Sequence, residues 1–255
     1  MHVIFIQKNL LKRMAVVCVL LLVGIVAAVA VDYNDKGAFM NINKKMPIYS
    51  VDTKEKKVAI SFDTSWGADN TLKILDVLDK YNVKATFFII GRWAQDYPEE
   101  TKEIAKRGNE IGNHSDKHPI MTKISKEQIL NEISSCDAKL ATLTGSKPML
   151  FRCPEGEYND LVVQTVEETN HTCIQWNVDS IDWKEQGADI EYNRIINKVK
   201  PGSILLFHNN AKYTPENLSK IIEKLKSEGY EFVKVSDLIY KDNFYLDNEG
   251  KQIRK

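Results

Sequence analysis

The chain lacks what marks a disulfide scaffold, a nucleic-acid binder or a linker-rich protein. Cysteine occurs four times in 255 residues. Cys18 falls in an apolar N-terminal run, which leaves Cys136, Cys153 and Cys173, an odd number that gives no disulfide framework. No pair has the CxxC spacing of a thiolate zinc site. Cys136 lies on the apolar side of a predicted helix and Cys173 inside a predicted strand, where both read as small buried hydrophobes. Neither sign of charge is in excess: Lys+Arg and Asp+Glu both number 35. That balance excludes the basic surface by which a protein holds nucleic acid. Glycine and proline are sparse, no tract is of low complexity, and no period repeats. Histidine is scarce too, with five copies, so their placement is informative.

What is present is a globular composition, 43% hydrophobic and 27% charged, sized for one large domain or two small ones. Lys8, Lys12 and Arg13 precede an uncharged, mostly aliphatic run at residues 14–31. That run is at the short end of what spans a bilayer, and its basic flank should stay in the cytoplasm. Ala28-Val29-Ala30 resembles a signal-peptidase site. The run is long for a signal peptide and has no polar face for a buried helix, which favours an uncleaved single-pass anchor. The expected organisation is an anchor or signal peptide at 1–31, a polar stalk at 32–55, the main domain at 56–241 and a polar tail at 242–255. Everything after Asp32 is then extracytoplasmic, held at the cell membrane or secreted if cleaved near Ala30.

From Lys57 onward strands alternate with amphipathic helices. Val58-Ala59-Ile60-Ser61-Phe62 and Lys84-Ala85-Thr86-Phe87-Phe88-Ile89-Ile90 suit strands, the second buried on both faces of a parallel sheet. Periodicity predicts helices over 71–81 (Leu72, Ile74, Leu75 and Leu78 inward), 98–107, 125–143, 159–169 and 190–199. Ser125 and Gln128 make a capping box, and Thr214 is expected to cap a last long helix ahead of Pro215. Further strands are predicted at 109–112, 149–151, 171–178, 203–207 and 232–235. Seven or eight βα units argue for closure into a parallel barrel, with an open doubly wound sheet as the alternative.

The polar residues that follow these strands form a pattern. Asp63, His114, Arg152, Asp179 with Asp182, and His208 each come directly after a predicted strand, where a barrel keeps its active residues. Individually each has an ordinary reading. Asp63 is a turn residue, and Asp179-Ser180 a cap or turn. Arg152 could pair with a surface carboxylate, and His208 could be a core histidine. His114 and His118, four apart on one face of a helical turn, are either surface residues or a metal pair. Together they supply a carboxylate base, an arginine to keep it ionised, an imidazole acid and metal ligands, the parts of metal-assisted hydrolysis.

In order and spacing the segments Phe62-Asp63, Asn113-His114-Ser115-x-x-His118, Arg152-x-Pro154-x-Gly156, Asp179-Ser180-x-Asp182-Trp183 and Leu206-Phe207-His208 resemble the motifs of polysaccharide deacetylases, the NodB-homology group of carbohydrate esterase family 4. The resemblance covers residues 57–240. Ser61-Phe62-Asp63-x-Ser65-Trp66-Gly67 with an N-terminal anchor looks most like the branch of spore-forming bacteria. It implies an α/β fold, a distorted (β/α) barrel of about seven parallel strands. The implied reaction removes acetyl from an N-acetylated amino sugar of cell-wall glycan, peptidoglycan above all. The implied roles are a divalent metal, zinc, on His114 and His118; Asp63 as general base held ionised by Arg152; and His208, oriented by Asp182, as general acid. A backbone N–H near Glu155 would face the oxyanion, Leu206 would line the acetyl pocket and Trp183 would wall it. The implied partners are the glycan and, through the N-terminus, the membrane; a monomer is expected.

Two positions depart from the family pattern. Thr64 stands where the family has a second Asp, the third metal ligand, so that ligand is open between Thr64 and Asp69, with Asp116 a further carboxylate nearby. Glu155 stands where the family usually has Tyr. Three readings follow: a working N-deacetylase, a weak or inactive glycan-binding relative, and another metal-dependent amidohydrolase on the same barrel.

Overall fold

The computed structural model describes residues 45–255. The apolar run at 14–31 and most of the predicted stalk lie outside the described residues. Among those described, no helix is long and apolar enough to cross a membrane.

The chain begins with a two-residue strand, β1 (Ser50–Val51), and the long central strand β2 (Lys57–Thr64). There follow α1 (Thr71–Lys80), β3 (Thr86–Ile89), α2 (Gly91–Asp96), α3 (Pro98–Lys106), β4 (Glu110–Asn113), α4 (Lys126–Thr144), β5 (Leu150–Phe151) and α5 (Asp160–Glu168). Then come β6 (Thr172–Cys173), β7 (Val178–Asp179), α6 (Ala188–Ile196), β8 (Ile204–His208), α7 (Thr214–Ser227), β9 (Glu231–Phe232) and α8 (Val235–Leu238). A hairpin, β10 (Phe244–Leu246) and β11 (Lys251–Arg254), ends the chain.

Seven parallel strands run in the order β6-β5-β4-β3-β2-β8-β7, and β9 adds to the start of β2. β6 and β7 are the two edges of this sheet, yet only residues 174–177 separate them in sequence. So short a connection, at most about 3.3–3.6 Å per residue, forces the edges toward each other. The sheet therefore curls into a half-barrel, the distorted (β/α) barrel expected. Ile48 pairs with Ile174 in the gap and Ser50 with Ser203 beside β8, so the N-terminal segment bridges the seam.

Strand periodicity divides the apolar residues between two faces. Ile60, Phe62, Phe87 and Ile89 pack with Ile74, Leu75 and Leu78 of α1 and Leu218 and Ile221 of α7. Ala59, Phe88, Leu150, Ile174 and Ile204 form the opposite cluster with Ile48 and Val51. Burial on both faces explains the continuous apolar strands of the sequence.

Several local expectations are corrected. Leu72 is exposed, because the inward stripe of α1 is Thr71, Ile74, Leu75 and Leu78. The single strand predicted at 171–178 is two strands on opposite sheet edges; alternation of Ile174, Trp176 and Val178 reads the same whether or not a strand is interrupted. The strand predicted at 232–235 gives way after Phe232 to α8. The capping box of Ser125 with Gln128 is present, but Thr214 is the first residue of α7 and does not cap it. The segments read as stalk and tail carry secondary structure: β1 pairs with β11, and β10 with β11, around the wholly buried Gln252. Gln252 donates to the Tyr240 carbonyl and accepts from the Tyr240 N–H, which lets a polar residue replace an apolar anchor there.

Gly112 of β4 lies directly against Phe88 of β3: a Cβ there would sit 2.4 Å from the Phe88 ring. Gly112→Ala should therefore cost about 1–3 kcal/mol by overpacking. Urea denaturation of the two proteins measures this; equal midpoints would show that Phe88 moves without cost.

Candidate active site

The C-terminal ends of β2, β4, β5, β7 and β8 surround one open cavity of about 490 Å³. Its lining includes Asp63, His114, His118, Glu155, Trp183, Leu206 and His208, all candidates from the sequence. Trp66, Trp176, Ser65, Asp179 and Gly156 complete the wall. Asp63 and His208 are register partners on the adjacent strands β2 and β8, so they stand side by side.

Asp63 is nearly buried, and Arg152 is wholly so. Arg152 Nη1 donates to Asp63 Oδ1 at 2.7 Å, while Nη2 donates to Ser61 Oγ at 2.9 Å and to the Gln175 carbonyl at 3.1 Å. Its guanidinium lies 4.0 Å from the Phe88 ring centroid, a cation–π contact. Burial pushes the Asp63 carboxyl up, but Arg152, with His114 and His208, more than offsets it and holds the group below the usual carboxylate range.

His114 Nδ1 lies 2.8 Å from the Arg152 carbonyl. A carbonyl only accepts, so Nδ1 carries the hydrogen and Nε2 presents its lone pair toward Asp63 Oδ2, 3.6 Å away. Burial, reinforced by the His118 ring, lowers the His114 pKa to about 4, so the ring is neutral near pH 7. The His114–His118 segment is not the helical turn expected. Ser115 and His118 take left-handed φ of 68° and 60°. Two local bonds impose this: Ser115 N–H donates to Asn113 Oδ1, and His118 N–H to Ser115 Oγ. The rings still meet, with centroids 5.0 Å apart.

On the other side, His208 Nδ1 donates to Asp182 Oδ1 at 2.6 Å, and the His208 backbone N–H donates to Asp182 Oδ2 at 2.8 Å. Burial opposes protonation of His208, but Asp182, then Asp63 and Asp179, raise its pKa above the ordinary histidine value. The cavity thus holds a carboxylate with depressed pKa beside an imidazole with elevated pKa, the polarity needed for a base and an acid. Ile181, which enters the Asp182 turn, has φ 53°, and Glu155 has φ 57°. Such backbone costs of order 1–3 kcal/mol per residue and gathers at sites the fold over-determines.

The third place beside the two imidazoles is not filled by a carboxylate. Among the described residues, no three His, Cys, Asp or Glu side chains form a set able to hold a metal ion. Thr64 is wholly buried, does not line the cavity, and its hydroxyl oxygen has no hydrogen-bond partner. Asp69 lies away from the cavity, accepting from Asn210 at 3.5 Å. Asp116 is paired with Lys139 at 2.7 Å. Two imidazoles without a third side chain completing the set do not fit a tightly held zinc, which catalytic sites bind through three protein ligands. Glu155 is the nearest further carboxylate, 3.8 Å from His118 Nδ1, but its side chain is 63% exposed.

Trp176 was legible only as a strand residue. It walls the cavity because the chain crosses the seam there, and Gly156 accommodates it: a Cβ on Gly156 would lie 3.0 Å from the indole. In sequence Trp66 is only a neighbour of Asp63; in the fold its ring packs against His208 with centroids 5.1 Å apart.

The polysaccharide deacetylase family model matches residues 50–174. The chain is 33% identical over 218 residues to the peptidoglycan-N-acetylmuramic acid deacetylase PdaA of Bacillus subtilis, covering 83% of each protein. It is 35% identical over 207 residues to a peptidoglycan-N-acetylglucosamine deacetylase of Bacillus cereus, covering 78% of this chain and 75% of that one. A CE4-family pseudoenzyme from Bacillus anthracis has a similar structure, with TM-score 0.74 and 32% identity over 82% of this chain and 71% of that one. A mutant of that pseudoenzyme is described as having restored enzymatic activity. The chain belongs to the polysaccharide deacetylase family.

Arg152→Leu should leave Asp63 buried without its partner and cost about 3–5 kcal/mol near pH 7. The depressed Asp63 pKa stabilises the wild type above the unfolded carboxyl pKa of about 4 and is lost as pH falls through the lower folded value. In the variant the burial penalty on the carboxylate also disappears once Asp63 is protonated. The stability difference should therefore shrink as pH falls through about 4. Denaturation curves across pH check this, and a pH-independent difference would show that packing alone is lost.

Proposed function

We propose that this protein hydrolyses the N-acetyl group of an N-acetylated amino sugar in peptidoglycan, at a site whose acid–base half is complete and whose metal half is not. The observation that carries the reading is the paired geometry of Asp63 with Arg152 and His208 with Asp182 on adjacent strands facing one cavity. Asp63, held ionised, takes a proton from water as it attacks the amide carbonyl carbon. His208 gives its Nε2 proton to the departing amine, and acetate and a free amino sugar result. The backbone N–H of Glu155 faces the oxyanion. Leu206 receives the acetyl methyl group, and Trp183 walls the sugar.

Family resemblance assigns a divalent cation, zinc, to His114 and His118, where it would polarise the amide carbonyl. The donor set lacks the anionic ligand such an ion needs, which supports slow hydrolysis in the native chain. A second reading is favoured by the same deficit and by the likeness to the pseudoenzyme: a glycan-binding protein of the envelope with little or no turnover. The apolar run behind Arg13 supports a membrane-anchored, extracytoplasmic location. The Ser61-Phe62-Asp63 segment supports assignment to the branch of spore-forming bacteria.

Acetate release from peptidoglycan, with and without added zinc, tests the proposal. The wild type should release acetate slowly, and Asp63→Asn should release none. Thr64→Asp should tighten zinc binding by at least the roughly 10–100-fold that even an outer partner of a metal ligand is worth. It should raise acetate release in parallel. No release from the wild type or from Thr64→Asp would leave the glycan-binding reading standing alone.

A further inference from the structure

Behind Asp182, on the side away from the cavity, a chain of buried polar groups continues into the fold. Thr214 Oγ1 lies 2.8 Å from Asp182 Oδ2 and 3.1 Å from Glu191 Oε1. Thr214 is wholly buried and Glu191 is 3% exposed. The other Glu191 oxygen, Oε2, is buried with no hydrogen-bond partner. A threonine hydroxyl has one hydrogen, and here two carboxyl groups border it. Both contacts are hydrogen bonds only if one carboxyl brings a proton of its own. Asp182 already accepts from the N–H groups of Trp183 and His208 and from His208 Nδ1, which suits a carboxylate. Glu191 has fewer donors: the Asn217 amide faces it but donates to the Ala188 carbonyl, and a buried oxygen without a partner is far costlier on a carboxylate than on a neutral acid.

We infer that Glu191 is a positioning residue for His208: as a neutral carboxylic acid it donates to Thr214, which donates to Asp182, which in turn holds the imidazole. The inference rests on the reading of His208 as the proton donor. Thr214 is the first residue of α7 rather than its cap, and its hydroxyl turns to Asp182. The groups around Glu191 supply no cation. Asp182 faces it from the turn Asp182–Lys184, and Thr214 and Asn217 face it from α7. On its own helix Arg194 turns to the Asp179 carbonyl of β7, and Lys220 on α7 pairs with Glu216. Burial, then the charge of Asp182, pushes the Glu191 carboxyl up to about 7, while Thr214 and Asn217 oppose the shift. Ionisation of Glu191 therefore places a second negative charge behind Asp182 and removes the proton that orders the relay. The His208 and Glu191 titrations become coupled.

The test follows the His208 ring nitrogens by NMR across pH in the full chain. The wild type should show two inflections, its own and one near 7 transmitted from Glu191. Glu191→Gln, whose amide still donates to Thr214, should keep the ring hydrogen bond and lose the second inflection. Thr214→Val should weaken the Nδ1–H bond, and Thr214→Ser should restore it. An unchanged His208 titration in a folded Glu191→Gln protein overturns the inference, as does failure of Thr214→Ser to restore. The readout needs no turnover, so absence of acetate release would reject the hydrolase reading while leaving the two-step titration as support for the relay.

Discussion

The ion pair between Arg152 and Asp63 is the constraint on which the mouth of the barrel depends. Taking both charges out of water is costly, and Coulomb attraction alone does not ensure recovery of that cost. The fold adds Ser61, the Gln175 carbonyl and the face of Phe88 to the guanidinium. Arg152 then acts twice. Its side chain fixes the Asp63 carboxylate, and its backbone carbonyl sets the tautomer of His114. One residue at the end of β5 thus aligns groups borne by β2 and β4. Phe88, which supports it, is accommodated by the missing side chain of Gly112, so a glycine on β4 reaches the Asp63 carboxylate through three contacts.

The two carboxylates of the acid–base pair differ in environment rather than in kind. Asp63 meets a permanent cation and leaves its second oxygen to the cavity. Asp182 is saturated by donors from the Trp183 and His208 N–H groups, the His208 ring and the Thr214 hydroxyl. In the proposed hydrolysis this difference suits the first to moving a proton and the second to orientation. The left-handed Ile181 and the bond from its N–H to Asp179 Oδ1 show that the backbone is bent to deliver Asp182 to that place.

Most of the site was legible because a parallel barrel gathers the residues that follow its strands, and those residues were unusual. Asp63, His114 and His208 could be placed from strand ends alone. What the sequence hid was whatever depends on distant chain segments. Period-two alternation at Ile174, Trp176 and Val178 carries no sign that the strand breaks and changes sheet edge, so Trp176 escaped as a wall residue. Thr214 ahead of Pro215 looks like a helix cap by every local rule, and only Asp182, 32 residues away, explains its other use. Glu191 resembles an ordinary first-turn acid of a helix. The tail at 242–255 read as polar because Gln252, buried at its centre, satisfies its amide through Tyr240 rather than through an apolar contact.

The departure at Thr64 has a consequence in charge as well as in ligand number. Arg152 neutralises Asp63, Asp182 balances His208, and His114 is uncharged near pH 7. Each carboxylate of these pairs thus already has its basic partner without any ion. A dication added there would have to share Asp63 with Arg152, and the compensation offered by a second aspartate is missing. Glu155 approaches His118 from the rim, but solvent screens it. Thr64 brings no negative charge to lower the cost of the ion, and in a partly desolvated site that lack is worth several-fold more than in water. For the proposed hydrolysis, the presence of both hydrogen-bonded pairs without this single charge separates proton transfer from electrophilic activation, and it is the groups for the first that this chain holds in place.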